Sequence, residues 1–83
     1  MSQKSLRVLV RKNLGMSPGK VAAQAVHAAL GLNEVEHSRV VVLEVSDKQF
    51  ALAADARPCH VVVDAGVTEV SPGTTTALAY WED

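Results

Sequence analysis

Apolar positions in this chain fall into short β-branched runs around one long segment of small residues. Leu6–Val10 (LRVLV) alternates and is rich in β-branched residues, so it reads as a first strand. Asn13-Leu14-Gly15 makes a turn. Ser17 is a good N-cap, and Pro18 suits the first helical position, where no N–H donor is needed. The Val, Ala and Leu positions that follow predict a helix to about Leu30, ended by Gly31 in a left-handed conformation. Asn33–His37 is a polar connector. Arg39–Val45 (RVVVLEV) predicts a strand buried on both faces. Ser46 and Gln49 form a capping box for a short helix with Phe50, Ala53 and Ala54 on its inner stripe, stopped by Arg57-Pro58. Cys59–Val63 reads as another buried strand. Ser71-Pro72-Gly73 turns into a last strand, Thr74–Trp81.

This β-α-β-α-β-β order predicts an α/β fold. Two helical crossovers argue for parallel strands with right-handed connections. The link into the last strand leaves no room for a crossover helix, so that strand is antiparallel. The expected architecture is a four-stranded mixed sheet in a two-layer or three-layer sandwich, within one domain over residues 1–83.

Composition narrows the class. Nearly half of the 83 residues are hydrophobic and few are aromatic, so Val, Ala and Leu must build the core. No apolar run approaches the ~18 residues that span a bilayer. The lone Cys59 forms no internal disulfide. With no charged-then-apolar leader pattern, these features lead to an expectation of a cytoplasmic chain without membrane contact. Net charge is −1, but residues 1–20 carry +5 and residues 21–83 carry −6. That excludes a globally basic nucleic-acid binder and leaves room for a local basic patch.

Two segments carry candidate chemistry. In the first, Leu14–Leu32 (LGMSPGKVAAQAVHAALGL), Lys20, Gln24 and His27 fall within about 60° of one another on the helix. They stand either as an anion clamp near a helix N-terminus or as the wet side of an ordinary amphipathic helix. In the second, Asp64–Ala79 (DAGVTEVSPGTTTALA), Asp64 ends a buried strand beside Gly66. It is either a general base or a turn-capping residue. Thr68, Thr74, Thr75 and Thr76 add hydroxyls, and alternation puts Thr74 and Thr76 on one face. Zinc spacing, a nucleophile elbow and a Walker loop are all lacking, so no metal or cofactor is expected.

The two segments together resemble the type 2, archaeal and eukaryotic-type, peptidyl-tRNA hydrolases. Leu14, Met16, Gly19, Lys20, Ala22, Ala23, Gln24, His27 and Ala28 are similar to that family's strand-turn-helix motif. Asp64, Ala65, Gly66, Thr68, Pro72, Gly73 and Thr76 are similar to its second motif. The resemblance implies hydrolysis of the ester that joins a peptide to the 3′ ribose of tRNA, without a metal. It implies that Asp64 orients or activates water, that Thr68 and Thr76 hold the water or the oxyanion, that Lys20 binds phosphate or neutralises charge, and that His27 supports the pocket or proton transfer. Pro18 stands where the family usually has a lysine, Asn13 where it has Asp, Val67 where it often has Arg, and Glu69 where Gln is frequent. The alternative is a tRNA-binding or protein-interaction module of the same fold. The short Leu32–Arg39 link and the missing C-terminal helix imply a bare sheet face, covered in a homodimer.

Overall fold

A computed structural model describes residues 5–32, 39–64, 70 and 73–82. In chain order these form β1 (Ser5–Arg11), a 3-10 turn (Lys12–Leu14), α1 (Pro18–Leu30), β2 (Arg39–Val45), α2 (Asp47–Ala56), β3 (His60–Val63) and β4 (Thr75–Glu82). The strands make one sheet in the order β2-β1-β4-β3. β1 and β2 are parallel, and β4 runs antiparallel to both β1 and β3. The expected mixed sheet with an antiparallel last strand is present.

Alternation along β1 decides the layers. Leu6, Val8 and Val10 point to one face, where Ala28, Ala77, Ala79 and Val62 close the core with Val21 and Ala25 beside them. Leu9 points to the other face and packs with Val45, Phe50, Leu78 and Tyr80. α1 therefore covers one face and α2 the other. The β1-to-β2 and β2-to-β3 crossovers travel in opposite directions across the sheet, so right-handed connections require opposite faces. Of the two architectures expected, the three-layer one is found.

The local signals act as their chemistry requires. Ser17 Oγ accepts from the backbone N–H of Lys20 at 3.2 Å, and Pro18 occupies the first turn. Ser46 Oγ accepts from the backbone N–H of Gln49, whose side chain accepts from the backbone N–H of Ser46. Both caps satisfy donors that the first helical turn leaves open.

Three expectations are corrected. Gly31 is right-handed (φ −65°, ψ −17°), so positive φ is not what requires glycine there. A Cβ at this position would collide with the His60 ring, so close approach is the reason. β2 is not buried on both faces: Val40, Val42 and Leu43 are exposed because β2 is an edge strand and α1 lies over β1, β4 and β3. β3 is the opposite edge, and of its residues only Val62 is buried. The Asn33–His37 connector lies outside the described residues.

Candidate active site

Three pieces of backbone converge where α1 begins, β3 ends and β4 starts. This is the carboxyl edge of the parallel strands, where open α/β sheets place ligands. The Ser17 cap sets the start of α1, so Lys20 falls in its first turn and Gln24 lies one turn further. Asp64 directly follows β3. Its backbone N–H donates to Thr74 O at 2.9 Å, and its carbonyl accepts from the Gly73 N–H at 2.8 Å. Gly73 adopts φ +84°, a conformation that glycine takes without a Cβ penalty.

A β-bulge supplies the third piece. Val62 pairs with Ala77, whereas Val63 pairs with Thr75, so Thr76 is an extra residue in β4. A bulge breaks the alternation of side chains. Thr76 and Ala77 therefore both face α1, and Thr75 is left on the opposite side. There Arg11 Nη1 donates to Thr75 O at 2.8 Å and to Thr75 Oγ1 at 3.3 Å, and Arg11 Nε donates to Asp47 Oδ1 at 3.1 Å. Arg11 thus ties the end of β1 to the bulge and to the start of α2.

The side chains form a continuous chain. Lys20 Nζ donates to Asp64 Oδ2 at 2.6 Å, and Gln24 Nε2 donates to the same oxygen at 3.1 Å. Thr76 Oγ1 donates to Gln24 Oε1 in a short hydrogen bond. The Lys20 and Asp64 side chains retain 12% and 7% exposure, so the ion pair sits at the rim of the core and still touches solvent. Gln24 and Thr76, at 2% and 0%, lie behind it. A carboxylate held by an ammonium and an amide in this semi-buried setting has a fixed direction, and its attraction to the cation is screened less than at the surface.

Of the residues singled out in the sequence, Lys20, Asp64 and Thr76 are brought together. Thr68 lies outside the described residues. His27 is exposed on α1, apart from the hydrogen-bonded chain that links these three through Gln24. The stripe of Lys20, Gln24 and His27 is therefore split, with Gln24 turned inward. The signal for this was in the spacing: Gln24 stands three residues after Val21 and four before Ala28, both of which pack on the sheet. Thr74 precedes β4, and the bulge breaks alternation between Thr76 and Ala77 rather than among the threonines.

Other reactive groups lie elsewhere. Burial pushes the Cys59 thiol up from its usual value, with Arg57 partly opposing this. A concavity of about 470 Å³ bordered by Gly31, Cys59, His60 and Trp81 lies at the opposite pole, where α1 ends and β3 begins.

Comparison with known proteins gives the family. The family model described as Peptidyl-tRNA hydrolase PTH2 matches residues 5–81, and the chain belongs to that family. Among curated relatives, the peptidyl-tRNA hydrolase of Methanopyrus kandleri is 39% identical over 90 residues, covering 86% of this chain and 78% of the relative. The peptidyl-tRNA hydrolase of Haloquadratum walsbyi is 36% identical over 93 residues, covering 92% and 83%. That of Methanococcus vannielii is 33% identical over 91 residues, covering 86% and 78%.

Proposed function

We propose that this protein hydrolyses the ester of peptidyl-tRNA, releasing peptide and free tRNA. The observation that carries the reading is the Lys20–Asp64 pair, assembled at the carboxyl edge of the sheet in a chain of the hydrolase family. The Asp64 carboxylate takes a proton from water as the water oxygen attacks the ester carbonyl carbon. The bond to the ribose 3′ oxygen then breaks, and that oxygen leaves with a proton. Lys20, on the solvent side of the pair, offers its ammonium to the developing oxyanion or to the neighbouring phosphate. Thr68 holds the attacking water, and His27 borders the approach along α1. An activated ester needs positioning and one base rather than a strong electrophile.

The retained pair favours the enzyme over the binding module, despite Pro18 at the position of the usual lysine. Pro18 sits in the first turn of α1, and Lys20 supplies the cation that meets Asp64. Incubating purified protein with peptidyl-tRNA decides between them. Release of peptide supports the enzyme. Salt-sensitive tRNA binding without release supports the module.

The protein acts in the cytoplasm, where peptidyl-tRNA is produced, and no helix among the described residues is long and apolar enough to cross a membrane. It works as a homodimer that covers the exposed Val40 and Val42 on the α1 side of β2. Bare apolar sheet surface of this kind favours association.

A further inference from the structure

We infer that Gln24 is a positioning residue for Asp64, and that it couples the catalytic carboxylate to the bulge in β4. This kinetic role rests on the hydrolase reading above, whereas its structural part does not. Gln24 is buried, and both ends of its amide are engaged: Nε2 on Asp64 Oδ2 and Oε1 on Thr76 Oγ1.

The direction of the amide follows from charge. Turned around, Gln24 Oε1 would face a carboxylate oxygen with no proton between them, at a buried position. The Thr76 hydroxyl accepts either polarity because it is both donor and acceptor. Asp64, paired with the Lys20 ammonium, therefore sets the orientation of Gln24, and Gln24 in turn commits the Thr76 proton. Both donors of this chain run one way, from Thr76 through Gln24 to Asp64, with Lys20 meeting the same oxygen from the solvent side. Such chains polarise one another.

Two consequences follow. Thr76 is fully buried and its proton is spent on Gln24, so it supports the site from behind rather than donating to the oxyanion. The bulge is also functional. Without the extra residue in β4, alternation would turn the Thr76 hydroxyl to the α2 face, and Gln24 would lose the partner that stops its amide from rotating.

Side-chain amide NMR and steady-state kinetics on the full chain test this. The Gln24 amide resonances shift in both Asp64→Asn and Thr76→Val, an outcome independent of activity. Gln24→Met lowers kcat about a hundredfold with KM within about twofold, because the carboxylate is misplaced while substrate contacts remain. Gln24→Glu is impaired relative to the parent at about pH 8 and recovers at least about tenfold of that deficit near pH 5.5, because the introduced carboxyl, once protonated, restores one donor and one acceptor. Unmoved amide resonances, a Gln24→Met kcat within about threefold of the parent, or a Gln24→Glu deficit constant with pH would each overturn the inference. A parent that binds peptidyl-tRNA without cleaving it overturns the hydrolase reading instead, and the NMR arm then decides the orientation alone.

Discussion

Lys20 and Asp64 lie 44 positions apart in the chain and 2.6 Å apart at their tips. A pair at the rim of a core is sensitive to losing one member, because the remaining charge stays desolvated. Lys20→Met is expected to cost about 3 kcal/mol in urea unfolding, and the double variant Lys20→Met/Asp64→Leu is expected to recover at least about half of that. No recovery in the double variant would mean that the stability loss does not come from a stranded carboxylate. The residues of this pair were legible in the sequence as a cation early in a helix and an acid at the end of a strand. The inward turn of Gln24 was missed, because counting 100° per residue from Lys20 groups it with His27. Only its register with Val21 and Ala28 shows that it belongs to the buried stripe.

At the scale of elements, local chemistry was readable and context was not. Both helix caps and the inner stripe of α2 follow from short-range hydrogen bonding and periodicity, which neighbours do not alter. The Val runs of β2 and β3 gave the wrong burial, because a run of valines records strand preference and says nothing of position in the sheet. Strand order decides that, and it places both strands at edges. The bulge at Thr76 was equally hidden, since three consecutive threonines carry no register. Gly31 illustrates the same limit: a glycine after a helix points to a left-handed cap, yet here it makes room for His60. Its backbone suits alanine, so Gly31→Ala in a His60→Ala background is expected to stabilise by about 0.5–1 kcal/mol. In the parent background the collision should remove that gain. Thermal unfolding of the four proteins checks this, and equal effects in both backgrounds would contradict it.

For the whole molecule, the distribution of charge and of apolar surface matters most. Lys12, exposed in the 3-10 turn, stands at the same pole as Lys20. Exposed Lys12 and partly exposed Lys20 thus put positive charge near the candidate site, whereas Arg7 pairs with Glu82 toward the other end of the sheet, and phosphate contacts at the lysines should make tRNA binding fall with salt. Val42, 50% exposed on edge strand β2, marks the surface proposed above for a dimer. Sedimentation should show a concentration-dependent dimer that Val42→Lys converts to monomer, and a parent that stays monomeric at every concentration rejects the interface. The most direct measurement is the single-turnover rate of peptide release by Asp64→Asn, a nearly isosteric change that removes the base, alongside its affinity for the same peptidyl-tRNA. The rate should fall at least about a hundredfold with affinity nearly unchanged. A rate within about threefold of the parent would show that the carboxylate at this seam is not the group that drives hydrolysis.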